Sequence, residues 1–220
     1  MFAHLAGITQ RINFATGVLI LPQRQTALVA RQATDVDLLS GGRLRLGVGI
    51  GWNHVEYEAL GQNFRTRGVR EEEQIELLRK LFSEPVVDFS GRFDRIDRAA
   101  LVPKPRRPIP IWLGGFGEAA FERGARIADG FIFGGGIDRC GDAWKRMRAR
   151  VSELGRSVTD FGGELVTGAA GGVSTLPATV EAWRETGGTH VSVVTMGLGL
   201  DSVDAHLDYI ASVAAALNLS

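Results

Sequence analysis

Apolar residues along this chain fall into short unbroken runs, each followed by a longer stretch in which they recur every three or four positions. The runs predict strands at Ile12–Leu21, Arg45–Ile50, Ile109–Leu113, Gly130–Phe133, Gly163–Thr167 and His190–Met196. Most have no polar face, as expected of a parallel sheet buried on both sides; a half-exposed antiparallel strand would alternate. The helical stretches are Ala27–Leu39, Val69–Phe82, Glu118–Ile127, Asp138–Leu154, Ala178–Thr186 and Val203–Leu217. Strand then helix, repeated, is the pattern of parallel strands joined by crossover helices. Punctuation agrees: Ser40-Gly41-Gly42 gives the first helix a glycine exit, Asp138 is placed to cap the fourth, and Gly187-Gly188 ends the fifth. Residues Glu84–Arg107 form an insertion, with Asp88–Phe93 reading as a small hairpin and Pro103-Lys104-Pro105 turning the chain back. Ahead of the first strand, Phe2, Leu5 and Ile8 share one helical face.

The composition changes this picture little. Of 220 residues, 45% are hydrophobic and 23% charged, enough for one sizeable core in a single domain. Twenty-five basic residues balance twenty-five acidic ones, so no long-range field draws the protein to nucleic acid or an anionic membrane. A charged ligand must be held locally. The single cysteine, Cys140, forms no internal disulfide and fits a reducing cytoplasm. No run approaches the roughly 20 apolar residues of a membrane span. A soluble cytoplasmic protein is the expectation.

Glycine carries the chemical signal. Gly47, Gly49 and Gly51 fall on one face of a strand, leaving its carboxyl end without side chains. Two readings stay open: a bed for a flat ring against the backbone, or tight packing with a neighbouring segment. A dinucleotide fingerprint would need a further glycine where Trp52 stands. A second strand ends in Leu113-Gly114-Gly115-Phe116-Gly117 and runs into a helix, a turn whose backbone N–H groups suit an anion such as phosphate. Arg67 and Arg70, with Arg65, lie at the start of a later helix and offer forked donors to such a phosphate; a solvated helix face is the bland alternative. Gly17, inside the β-branched run Thr16-Gly17-Val18, points to a bulge or a close backbone approach. His54, just after the second strand, and Glu56 are the weak candidates for proton transfer. No serine-hydrolase elbow, P-loop, zincin motif or Cys/His cluster is present, and no metal is expected.

Thr16–Arg24, Leu39–Leu44, Gly47–Trp52, Pro103-Lys104-Pro105, Ile111–Gly115 and Ala128-Asp129-Gly130 together resemble the bacterial-luciferase-like monooxygenases, in the family's order and over nearly the whole chain. The tail Thr189–Gly197 extends the likeness to the F420-dependent oxidoreductase branch. The resemblance implies a TIM (β/α)8 barrel of which six of eight βα units are present, the chain being truncated ahead of Ile12–Leu21. It implies a cofactor, F420 or alternatively FMN, across the carboxyl ends of the strands, at Thr16, Gly17, Val18, Gly49, Ile50, Gly51 and Trp52. It further implies a non-prolyl cis peptide at Gly17-Val18, and a phosphate near Leu113, Gly114, Gly115 and Phe116. Trp52 stands where relatives that oxidise sugar phosphates carry an acid, so that reaction is not carried over. The implied function is hydride transfer between F420 and an unknown small organic substrate. FMN-dependent monooxygenation is the alternative within the class. A truncated paralogue without turnover, a flavin-binding or structural dimer, is the alternative outside it. Dimerisation, a rearranged terminus or lost residues of the native gene would each cover the open sheet edges, and a homodimer is the expectation.

Overall fold

In the computed structural model, which describes residues 1–168 and 171–219, strands and helices alternate much as the hydrophobic pattern predicts. The α/β fold runs through six parallel βα units among the described residues, the succession of an incomplete TIM-type barrel. Two compact units are distinguishable: Met1–Gly115 with Ile127–Asp129, and Phe116–Arg126 with Gly130 onward.

The first unit contains α1 (Phe2–Ile8), β1 (Phe14–Ala15), β2 (Leu19–Ile20), α2 (Thr26–Leu39), β3 (Leu44–Gly49), α3 (His54–Ala59) and α4 (Arg67–Ser83). The antiparallel pair β4 (Val87–Ser90) and β5 (Arg95–Ala99) and the strand β6 (Ile111–Gly114) complete it. The expected first strand is two short pieces, both paired in parallel with β3. Phe14 and Ala15 lie beside Leu44 and Arg45; Leu19 and Ile20 lie beside Val48 and Gly49. Four steps from Ala15 to Leu19 face three from Arg45 to Val48, so the break is a one-residue bulge around Gly17. Strand β6 starts two residues later than predicted because Pro108 and Pro110 have no N–H to give a ladder; the Pro110 carbonyl instead accepts from the Leu46 N–H at 2.9 Å.

Two side chains fix the amino ends of β3 and β6. Arg107 donates to the carbonyls of Gly42 and Leu44 (2.9 Å for the latter) and pairs with the buried carboxylate of Asp37 at 3.2 Å. Asp129 accepts from the Ile111 N–H at 2.8 Å, returns its own N–H to the Ile111 carbonyl, and pairs with Arg79 at 3.0 Å. In the insertion, the Glu73 carboxylate accepts three backbone N–H groups, from Arg92, Phe93 and Asp94, at 2.7–2.8 Å.

The second unit holds α5 (Glu118–Ile127, whose last residue counts with the first unit), β7 (Gly130–Gly134), α6 (Ile137–Glu153), β8 (Gly162–Thr167), α7 (Leu176–Glu185), β9 (His190–Val193) and α8 (Val203–Ala216). Strands β7, β8 and β9 are parallel neighbours. Phe131 and Phe133 face the helices, where Phe133 meets the buried Trp144 and Trp183 with centroids 5.9 Å apart in each case. The cap of α6 corrects the sequence reading: Gly136 occupies it, and Asp138 sits in the first turn, where its charge still complements the helix dipole. Among the described residues, no helix is long and apolar enough to cross a membrane.

The Asp129 arrangement generates the first prediction. Asp129→Ala leaves the Ile111 N–H without its acceptor and takes the carboxylate from Arg79, which keeps only the Ile127 carbonyl at 3.0 Å, and should lower the unfolding free energy by about 2 kcal/mol. Urea titration followed by circular dichroism checks it; an unchanged midpoint would contradict the assignment.

Candidate functional site

The site is built where β2, β3 and β6 of the first unit end level with one another. Val48 pairs with Leu19 on one side and Leu113 on the other, so Ile20, Gly49 and Gly114 stand at the same height. The turn ahead of β2 is pinned by the Thr16 hydroxyl, which donates to the Gly47 carbonyl at 2.7 Å. The Gly17–Val18 peptide is cis, as the resemblance implied. A Cβ on Gly49 would stand 2.8 Å from a Val18 methyl and 3.2 Å from the Gly114 carbonyl oxygen. At Gly51, with φ of +64°, a Cβ would meet Ile20 at 3.0 Å. The glycine face is thus taken up by Val18 and Ile20, the packing reading of the two that spacing left open. What the tip presents is Val18 itself, an apolar side chain 36% exposed.

Beyond the tip, Trp52 is 86% exposed, while Trp112, Trp144 and Trp183 are buried. Asn53 caps α3 by accepting from the Val55 N–H at 3.1 Å. Both oxygens of Glu56 accept from neutral amides, Asn53 Nδ2 and Gln23 Nε2, each at 3.2 Å. His54 is exposed; its ring meets Phe64 edge-on with centroids 6.3 Å apart, and it has no polar partner among the described residues. Tyr57 is buried, and its hydroxyl donates to the Ile50 carbonyl at 2.6 Å. Burial pushes its pKa up to about 12, with Arg67 and Arg70 pulling the other way and Glu71 and Glu56 adding to the rise.

At the start of α4, Arg67 lies over the Phe64 ring, 3.7 Å from its centroid, and donates to the Phe64 carbonyl at 2.7 Å. Arg70 reaches the Arg24 carbonyl at 3.4 Å, an oxygen it shares with Gln74 Nε2 at 2.9 Å. The Nε–H of both arginines is buried without an acceptor among the described residues. Two uncommitted guanidinium donors fit an anion better than they fit a finished protein interior.

The structure therefore brings Thr16, Gly17, Val18, Gly49, Ile50, Gly51, Leu113, Gly114 and Gly115 to one set of strand ends, with Arg67 and Arg70 in the first turn of α4. Phe116 belongs to the second unit, where its exposed ring lies against Gly134. Sequence reasoning passed over Tyr57, Phe64 and Gln23. Asn53 three residues ahead of Glu56 has the spacing of a capping box and would have located α3. Nothing local marks Phe64 as a platform for Arg67. Among the described residues, no group of three His, Cys, Asp or Glu stands where it could hold a metal ion.

The sequence profile of the family described as luciferase-like monooxygenase matches residues 1–196. An uncharacterised protein of Mycobacterium tuberculosis is 42% identical over 152 residues, 69% of this chain and 51% of that protein. Pyrimidine monooxygenase RutA of Escherichia coli is 33% identical over 172 residues, 73% of this chain and 47% of its own length. The chain spans about half the length of these curated relatives. Among solved structures, an F420-dependent secondary alcohol dehydrogenase in complex with an F420-acetone adduct shares the fold, with a TM-score of 0.80 at 15% identity, covering 97% of this chain and 82% of that one.

The Tyr57 environment predicts an alkaline effect. A phenol whose folded-state pKa is raised favours the fold fully below its ordinary pKa of 10, and that advantage is lost as pH rises toward about 12. Absorbance at 295 nm should therefore show one of the two tyrosines ionising only with unfolding at high pH, and Tyr57→Phe should remove the steepest part of the stability loss above pH 10. Identical stability curves for the two proteins across that range would refute it.

Proposed function

The chain belongs to the luciferase-like monooxygenase family, and from that premise we propose that it is an oxidoreductase working with the deazaflavin F420, moving a hydride between that cofactor and a small organic substrate. The observation that carries the reading is the platform of Val18 over Gly49, beside the Gly114 carbonyl, at the level ends of three parallel strands. A planar ring system needs a flat apolar support with few polar groups around it, and the ends of parallel strands are where barrel enzymes build it. Support for F420 comes from the fold shared with an F420-dependent alcohol dehydrogenase and from the order of the glycine motifs.

When bound, the cofactor supplies the hydride chemistry. The chain's own residues bind and orient. Thr16, Gly17 and Val18 form the bed, held to β3 by the Thr16 hydroxyl. Gly49, Ile50, Gly51 and Trp52 form its far side, with the Ile50 carbonyl fixed by Tyr57. Backbone N–H groups around Leu113, Gly114 and Gly115 receive a phosphate, and Arg67 and Arg70 supply charged donors through nitrogens that lack an acceptor. His54 and Glu56 remain the candidates for moving a substrate proton; the amides that hold both oxygens of Glu56 make it the better oriented of the two. Trp52, exposed at the mouth, is placed to exclude water from a bound ring.

A second reading, FMN-dependent monooxygenation, is favoured by the 33% identity to a pyrimidine monooxygenase. Ultrafiltration with F420 and FMN in parallel, together with acrylamide quenching of tryptophan fluorescence, separates the two. F420 should be retained and should shield the one exposed tryptophan, Trp52, and Arg67→Ala should weaken retention by about tenfold, or 1.4 kcal/mol. Retention of FMN in place of F420 transfers the assignment to the second reading. Retention of neither ends both.

A further inference from the structure

Opposite the strand tips, at the amino-terminal ends of β3 and β6, lies a cleft of about 450 Å³, large enough for a small organic ligand. It is lined by four cationic side chains, Arg79, Lys104, Arg106 and Arg107, and by no carboxylate among the described residues. In a protein with no net charge that is a local concentration of one sign.

The four are differently committed. Arg79 is paired with Asp129, and Arg107 with Asp37 and two carbonyls, so these two are spent on the fold. Lys104 gives one hydrogen bond, at 3.0 Å, to the Leu81 carbonyl in the last turn of α4, leaving two ammonium hydrogens free. Arg106 is exposed and has no partner among the described residues. Two charges are thus uncompensated in a concave site with low-dielectric walls, where their field is focused. Those walls are Phe82, Pro105 and Pro108, flat apolar surfaces suited to a planar body.

We propose that this cleft is a second ligand site, for a phosphomonoester on a planar apolar group, with the phosphate held by Arg106 and Lys104 and the ring laid against the proline and phenylalanine faces. A guanidinium fork takes two phosphate oxygens at once, and an ammonium beside it takes the third. The site is independent of the cofactor reading, since it uses the other end of β3.

Isothermal titration of the chain with 1-naphthyl phosphate tests it. One-to-one binding is expected, displaced by inorganic phosphate, falling at least tenfold in Arg106→Ala and unchanged in Arg70→Ala at the strand tips. Arg106 is exposed and has no polar partner among the described residues, so its variant should keep the fold; an unchanged thermal midpoint verifies that. Lys104→Met should show a loss of similar size. Absence of binding at millimolar ligand, equal binding by wild type and Arg106→Ala, loss in Arg70→Ala instead, or displacement by 1-naphthol but not by phosphate would each overturn the proposal.

Discussion

With a Cβ at position 49, a Val18 methyl would be 2.8 Å away and the Gly114 carbonyl oxygen 3.2 Å away, so β2, β3 and β6 reach their present alignment only with glycine there. That steric constraint organises the first unit. Because Val18 approaches so closely, the bulge around Gly17 turns its side chain over the end of β3, and the Thr16 hydroxyl closes on the Gly47 carbonyl. Because Ile20 fills the same kind of space at Gly51, the chain can leave β3 with a positive φ and cross to Trp52. The apolar platform is therefore a product of packing between strands. Its shape is set by contacts among Val18, Ile20, Gly49, Gly51 and Gly114, all within the chain itself.

Behind the platform, polar contacts tie the insertion to the same strand ends. Glu73 on α4 holds the hairpin turn by three backbone N–H groups, and a Cβ at Gly91 would fall 2.3 Å from its carboxylate. At the other side of that turn, Asp94 accepts from the Thr26 hydroxyl at 2.8 Å, and Thr26 in turn accepts from Gln74 at 3.0 Å. Gln74 also reaches the Arg24 carbonyl, in the segment that leaves β2. Burial raises the Asp94 pKa, with Glu73 adding to the rise and Thr26 and Arg70 opposing it. The chain runs without a gap from hairpin to helix to loop, so the insertion buttresses the start of α4, where Arg67 and Arg70 sit.

The fold was largely legible because its signals are local. Helix α5 starts and ends where spacing put it, at Glu118 and Ile127, and the hairpin in the insertion follows from its glycine and its alternating residues. The motif glycines were legible as positions but not as partners. Period-two spacing shows that 49 and 51 share a face, yet only coordinates show that Val18 and Ile20 occupy it, since these contacts span some thirty residues of chain. The same limit hid Tyr57 and Phe64: an aromatic in a short helix reads as ordinary packing until its hydroxyl is seen on the Ile50 carbonyl and its neighbour under Arg67. Asp138 misled for a different reason. Aspartate is favoured both at the cap and in the first turn, and sequence alone does not separate positions two residues apart.

The arginines show how a balanced composition can still encode binding. Twenty-five positive charges cancel against twenty-five negative ones, so the distribution of acceptors, not the total, decides what each cation is for. Arg43 and Arg107 spend their donors on carbonyls of the chain, closing turns that a hydrophobic core alone would leave open. Arg150 is held by two carboxylates on the surface of the second unit, Glu122 at 2.7 Å and Glu153 at 3.1 Å. Arg67 and Arg70 differ, each retaining a buried N–H that no group among the described residues accepts. A folded chain tolerates such a donor at a cost of about 1–3 kcal/mol, a cost that the anion site proposed at these strand ends would offset. Counting committed donors thus separates cations that hold the fold from cations with donors to spare, a distinction that net charge and spacing do not contain.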